Sequence, residues 1–192
     1  MQKSSAVLKV VAGSDVSVNR AELARKFRAS MADHLRAHTE GTNVNPRTLL
    51  ATDYLNHFNE MIMLLDMLPS SPKELACDLG NWRHKSYEQH FHETGFRDKS
   101  LAIAGYRNAP EEVRDAFDAA ISKLEYDMVS VLDQIAALMA SGQTDGLPTL
   151  CVEASARLRG LADKAAAIIN GETPDVPVDG HHTQEAVDAL FN

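Results

Sequence analysis

One long stretch of the sequence repeats its apolar residues at alternating spacings of four and three, which is the spacing that places side chains on one side of a helix. The stretch begins near Pro110 and stops at Gly142, a residue type that commonly ends helices. Its apolar positions are Phe117, Ile121, Leu124, Met128, Val131, Ile135 and Leu138. Together these positions form a continuous apolar seam along the helix, and such a seam has to be covered by another helix. The stretch therefore predicts a long helix packed against a partner helix.

A second segment supplies that partner helix. It repeats the same alternation and is followed by Gly171, which predicts its end. Its apolar positions are Cys151, Ala154, Leu158, Leu161, Ala165 and Ile168. Only a short turn with Gly142 and Gly146 separates the two segments. They therefore predict a long antiparallel helical hairpin.

Two further helices are expected before the hairpin. Asn19 to Glu22 has the form of a capping box, which predicts a first helix from Asn19 to about Thr39 that Gly41 closes. The apolar stripe of this helix is Leu23, Phe27, Met31 and Leu35. Asn45-Pro46 predicts the cap and first turn of a second helix, which Pro69 ends. Because the link between the two helices is short, we expect them to pack as antiparallel neighbours.

The segment from Ser70 to Asn108 is interrupted by glycines and predicts short helices. Ser86 and Gln89 have the spacing of a second capping box. The segment is also the most aromatic part of the chain, with Trp82, Tyr87, Phe91 and Phe96. We expect this insert to fold over one end of the bundle. Elsewhere alanine, leucine and methionine dominate and aromatic residues make up only 6% of the chain, which favours an all-α helical bundle.

Charge and composition exclude several classes of function. The net charge is −8 and the basic residues form no dense run, so we expect no nucleic-acid partner. The longest run of large apolar residues, Met61 to Leu65, is far too short to cross a bilayer, so no membrane association is expected. Cys77 and Cys151 stand alone without a disulfide-like spacing. These features predict a cytoplasmic protein.

The chain divides into four parts by pattern. Residues 1–18 predict a flexible N-terminal arm and residues 19–171 a helical bundle. Residues 172–182 contain two prolines and a glycine with almost no core-forming side chain, which is typical of a linker. Residues 183–192, the tail peptide, place Val187, Leu190 and Phe191 on one side of a helix. Ten residues do not hold a helix alone, so we expect the tail peptide to order when it binds a groove on a partner.

The tail peptide resembles the segments by which chemotaxis proteins bind the response regulator CheY. The residues that carry the resemblance are Gln184, Val187, Asp188, Leu190 and Phe191. Similar segments occur in the CheY phosphatase CheZ and in the flagellar switch protein FliM. The position after a helical hairpin and a proline-containing linker is similar to CheZ. The resemblance implies a CheY-like response regulator as partner, with the protein acting as an adaptor or as a phosphatase of the receiver's aspartyl phosphate.

The phosphatase part of the resemblance lacks its expected residues. CheZ uses an acid and a glutamine one helical turn apart on the hairpin, whereas Asp133 and Gln134 are adjacent and point in different directions. Asp53 and Asn56 are the nearest substitute and resemble the acid and amide pair of the phosphatases CheC and CheX. A spacing of three places both on one helix face. They are the candidate catalytic residues, and this hypothesis requires no cofactor.

The histidines support an alternative hypothesis. His34 and His38 lie four residues apart on the stripe of the first helix, which predicts that both imidazoles point into the bundle. Asp53, with His57 or Glu60, lies on the second helix, so these residues predict a zinc or iron site between facing helices. A metal-free pair in which Asp53 orients His34 fits the same pattern. A third alternative is a non-catalytic interaction protein whose heptad seam forms a homodimer.

Overall fold

The protein is an all-α helical bundle, as predicted. The computed structural model describes residues 14–142 and 144–172. Seven α-helices are present in these ranges: α1 (Ser14–Arg36), α2 (Asn56–Met67), α3 (Pro72–Gly80), α4 (Tyr87–Glu93), α5 (Lys99–Asn108), α6 (Glu111–Ser141) and α7 (Leu147–Ile169). The described ranges contain no strand, and their one isolated β-bridge pairs Val44 with Ala51. No helix in them is long and apolar enough to cross a bilayer.

Helices α6 and α7 form the predicted antiparallel hairpin. Gly142 ends α6 with a left-handed φ of 71°, and a 3₁₀ turn over Thr144–Gly146 leads into α7. The predicted α6 seam is buried from Phe117 to Ile135, and Leu138 packs on its edge. The α6 seam packs on α7 inside one chain, whereas the homodimer hypothesis assumed an exposed seam, and the homodimer itself stays a prediction.

An ion-pair triad joins the two arms of the hairpin. The Asp127 carboxylate accepts from Lys123 Nζ at 2.7 Å on its own helix and from Arg157 Nε at 3.2 Å on α7. The hydrogen bond from Lys123 and the two positive charges hold the pKa of Asp127 below its ordinary value. The carboxylate therefore stays charged, although Asp127 is almost buried.

The predicted second helix starts later than its sequence pattern suggests. Asn45 Oδ1 accepts from the amides of Arg47 (2.8 Å) and Thr48 (3.3 Å), so the cap is present. Asn45 caps only one helical turn, because Leu49 adopts a left-handed φ of 61° and the helix does not continue. The chain then passes through a 3₁₀ turn at Thr52–Leu55 before α2 begins. We call residues 44–51 the Leu49 loop.

Helix α1 differs from its prediction at its start and in its neighbour. It is already helical at Ser14, so Asn19 lies inside the helix and not at its start. It packs mainly on α5, whereas antiparallel packing on α2 was expected. Only the C-terminal third takes part, through Ala32 and Leu35, and Leu23 and Phe27 are 65% exposed. Half of the predicted apolar stripe is therefore on the surface.

The aromatic insert is part of the main core. Its capping box is present, since Gln89 N donates to Ser86 Oγ and Ser86 N donates to Gln89 Oε1. Tyr87 and Phe91 are buried in the same apolar cluster as the hairpin. Tyr87 Oη accepts from the amide of Ala51 at 2.8 Å, which attaches α4 to the end of the Leu49 loop. The insert thus connects the loop to α6.

Candidate functional site

The predicted partner-binding residues of the tail peptide lie outside the described residues. They are Gln184, Val187, Asp188, Leu190 and Phe191. The structure does describe the end of α7, the last helix before them in the chain. Thr48 Oγ1 donates to the carbonyl of Ile169 at 2.5 Å, and Arg47 Nη2 donates to the carbonyl of Asn170 at 2.8 Å. The end of α7 is therefore attached to the Leu49 loop.

The candidate catalytic pair lies at the junction between the 3₁₀ turn and α2. Asp53 is half-buried, and its two carboxylate oxygens face Asn43 Nδ2 at 3.5 and 3.2 Å. Asn56 is exposed in the first turn of α2. The acid is thus engaged by a neighbouring amide while the candidate catalytic amide faces solvent.

The predicted interior histidines are on the surface. His34 and His38 are both exposed at the end of α1, with ring centroids 4.6 Å apart. His38 Nδ1 lies 2.8 Å from the carbonyl oxygen of His34, which is a hydrogen-bond contact at the C-terminal end of α1. The expected inward orientation was wrong, because α1 turns its Leu35 side toward α5. The expected pairing of Asp53 with His34 is also not seen, since Asp53 faces Asn43.

The other two candidate metal ligands are separated as well. His57 is half-buried and stacks on Trp82 with ring centroids 5.2 Å apart, and Glu60 is exposed. Burial lowers the pKa of His57. Within residues 14–142 and 144–172, no group of three or more His, Cys, Asp or Glu side chains is arranged to hold a metal ion. The described geometry therefore gives the metal hypothesis no support.

The structure shows a polar cavity that the sequence reasoning missed. It has a volume of about 180 Å³ and lies between α6, Tyr106 of α5 and the segment before α4. Its polar lining comes from Asp118, Ser122 and Glu125 of α6, together with His84 and the tyrosines. The three α6 positions repeat the four and three spacing one residue after the seam. That offset is the sequence signal for a polar edge beside the apolar seam.

The two carboxyl groups that line this cavity, those of Asp118 and Glu125, have raised pKa values. Burial raises the pKa of Asp118, and the hydroxyl of Tyr106, which donates to it at 3.0 Å, offsets part of that rise. Burial likewise raises the pKa of Glu125, which pairs with His84. Burial and the neighbouring Asp118 raise the pKa of Tyr106 to about 12. Asp118 and Glu125 therefore exchange protons closer to neutrality than ordinary carboxyl groups do, whereas Tyr106 keeps its proton.

Replacing Asp118 with asparagine is expected to change how stability depends on pH. Because the folded pKa is raised, the folded protein holds the proton more tightly than the unfolded chain. The stabilisation that comes from this bound proton is complete at low pH. It is lost as the pH rises above about 4 and through the pKa of Asp118 in the folded protein. Urea denaturation at pH 4 and pH 7 should show the Asp118→Asn variant gaining stability at pH 7 relative to pH 4, compared with the wild type.

Asp133→Asn is the matched control, because Asp133 is exposed on the same helix. It should leave the difference between the two pH values close to that of the wild type. Equal changes in both variants would show that burial of Asp118 is not the cause.

Comparison with known proteins adds no relative. No protein-family model, no curated protein and no solved structure matches this chain. The resemblance of residues 183–192 to the CheY-binding segments therefore stays a prediction from sequence.

Proposed function

We propose that this is a cytoplasmic protein that recruits the receiver domain of a CheY-like response regulator through the tail peptide. One observation carries the proposal: Val187, Leu190 and Phe191 occupy helix positions i, i+3 and i+4, next to the acidic residues Glu185 and Asp188. An amphipathic helix of this kind docks its apolar side into a groove on a partner. The acidic residues suit a basic rim around such a groove.

The organisation of the chain supports a tethered peptide. The linker follows a hairpin whose end is attached to the Leu49 loop, so the tether begins at a fixed point of the bundle. The eleven linker residues have a root-mean-square reach of about 18 Å. A tether of this length gives an effective concentration in the millimolar range for anything bound nearby. The bundle would thus hold a captured receiver close to its own surface.

The proposal is recruitment and includes no hydrolysis. A phosphatase would need an acid free to engage the receiver and an amide free to orient water. Asp53 is half-buried and accepts a hydrogen bond from the side-chain amide of Asn43. The pair Asp53 and Asn56 is therefore left out of the proposed function, which depends on the tail peptide alone.

The double substitution Leu190→Ala and Phe191→Ala is expected to weaken receiver binding at least about 30-fold. Buried apolar anchors of this size each contribute about 1 kcal/mol or more to an interface. The measurement is a titration of the full chain against CheY-like receivers from the same genome, with and without an acyl-phosphate mimic. Binding by the wild type should be saturable and stronger with the mimic.

The matched control removes two exposed apolar side chains from the bundle. Tyr126 and Val152 are 72% and 69% exposed, so Tyr126→Ala with Val152→Ala changes a similar apolar area at residues that do not belong to the tail peptide. This variant should bind the receiver like the wild type. Equal binding by the tail variant and the wild type would exclude the proposed function.

A further inference from the structure

An open groove lies between α1 and the start of α6. It has a volume of about 480 Å³ and a floor of small apolar residues that includes Ala29, Ala32 and Pro110. Four arginines line it: Arg25, Arg28, Arg36 and Arg114. We call it the arginine groove. None of the candidate residues discussed above takes part in it.

The charge of this groove is opposite to that of the whole chain. The protein carries a net charge of −8, yet the groove has four arginines against the two acids Asp33 and Glu111. Asp33 is already paired with Arg36 at 2.6 Å. The other three arginines form no ion pair with any residue that the structure describes. The groove therefore suits an occupant with carboxylates and a few apolar side chains.

Helix α7 ends next to one end of the arginine groove. The carbonyl of Asn170, just after α7, accepts from Arg47 Nη2 at 2.8 Å. The carbonyl of Pro46, the residue before Arg47, accepts from Arg36 Nε at 3.2 Å. Arg36 lines the groove. Two hydrogen bonds through adjacent residues of the Leu49 loop thus connect the end of α7 to the rim of the groove.

The distances allow the tail peptide to reach the groove from that point. From Arg36 to Arg25 the helix α1 extends about 16 Å, at about 1.5 Å per residue. Residues 173–182 have a root-mean-square reach of about 17 Å. The ten residues that follow have the required chemistry, with two carboxylates beside an apolar side formed by Val187, Leu190 and Phe191. We propose that the arginine groove binds the chain's own tail peptide.

This inference rests on the proposed function for its consequence, because the same residues would then be withheld from a receiver. Docking within one chain benefits from the short tether. Solvated arginine and carboxylate pairs are individually weak and are screened by salt. The groove therefore acts as a competitor that a receiver displaces, and it sets a threshold for recruitment.

The test places a nitroxide on the tail peptide of the full chain. Asn192→Cys carries the label, Cys77→Ser removes the exposed native thiol, and Cys151 is buried. We expect the label to broaden the amide NMR signals of Ala29, Ala32 and Arg114. We also expect the broadening to decrease as salt is raised from 50 to 500 mM. A mixture of unlabelled ¹⁵N protein with spin-labelled ¹⁴N protein should show none of it.

Charge reversal identifies the groove as the binding site. Arg25→Glu with Arg28→Glu should abolish the broadening, and adding Glu185→Arg with Asp188→Arg should restore it. Lys73→Glu with Lys164→Glu reverses the same charge at two exposed sites outside the groove and should have no effect. No broadening, or broadening that the groove variant leaves unchanged, would overturn the inference. Broadening in the isotope mixture would also overturn it, because the tail of a second copy would then be the occupant.

A receiver titration separates this inference from the proposed function. The variant with Arg25→Glu and Arg28→Glu should bind the receiver about threefold or more tightly than the wild type, because its tail peptide is free. Receiver binding that is unchanged by this variant would overturn the inference and leave the proposed function intact. Broadening without any receiver binding would support docking of the tail peptide in the arginine groove and would exclude the proposed function.

Discussion

Replacing Gly105 with alanine is expected to destabilise the protein by about 3 kcal/mol, one of the two largest effects that we predict for a single substitution. A β-carbon at this position of α5 would lie 2.3 Å from the carbonyl oxygen of Leu49 and 3.3 Å from its carbonyl carbon. Both atoms belong to the backbone, so no rotation of a side chain relieves the contact. Either α5 or the Leu49 loop has to move.

The Leu49 loop is poorly able to move. Leu49 is fully buried with a left-handed φ of 61°, a conformation that leucine rarely adopts. On one side of it, Thr48 and Arg47 are bonded to the end of α7, and on the other side the amide of Ala51 is bonded to Tyr87. Displacing the loop would therefore break buried hydrogen bonds in addition to disturbing the packing.

Gly160→Ala is the matched control for this prediction. Gly160 is an exposed residue inside α7, and a β-carbon there would meet no atom within 4 Å. Alanine should stabilise the helix at this position by up to about 1 kcal/mol. Urea denaturation followed by circular dichroism should move the two midpoints in opposite directions. A Gly105→Ala variant as stable as the wild type would contradict the close approach of α5 to the loop.

The hairpin was predictable from sequence because its signal is long and redundant. Seven seam positions in α6 and six in α7 agree on one periodicity, so no single residue decides the outcome. The ends of the hairpin were also predictable, since Gly142 and Gly171 both adopt positive φ values. Local propensity and tertiary packing favour the same structure here.

The start of α2 was not predictable, because one residue contradicts its local preference. Asn45 and Pro46 supply a genuine cap, and nothing nearby in the sequence indicates that Leu49 takes a left-handed conformation. Leu49 lies against Gly105 of α5, and the preceding Thr48 is bonded to the end of α7; both helices are distant in sequence. Tertiary structure overrides the local pattern at this position.

The candidate sites were less predictable than the helices for a related reason. His34 and His38 fall on an apolar stripe, yet α1 packs only through its last third, and both rings face solvent. The direction of a helix face follows from its neighbour, which single-sequence periodicity does not identify. Asp118 and Glu125 came together with His84 only because the insert folds against α6.

Phe117→Ala is expected to lower the free energy of unfolding by about 4 kcal/mol, which is typical for removing a buried phenyl ring. Phe117 is 1% exposed and lies where the hairpin meets the insert. Its ring has edge contacts with Tyr54, Tyr87 and Tyr106, at centroid distances of 5.8, 5.7 and 6.4 Å. The substitution removes both the apolar volume and these aromatic contacts.

Phe117→Leu separates these two contributions. Leucine keeps most of the apolar volume but has no ring, and each aromatic pair contributes about 0.5–1.5 kcal/mol beyond burial. The leucine variant should therefore lose about 2 kcal/mol by urea denaturation, roughly half the loss of the alanine variant. Tyr126→Ala on the same helix is the control and should change little, because Tyr126 is 72% exposed. If Phe117→Leu were as stable as the wild type, Phe117 would serve only the hairpin seam, and the insert would not depend on its ring.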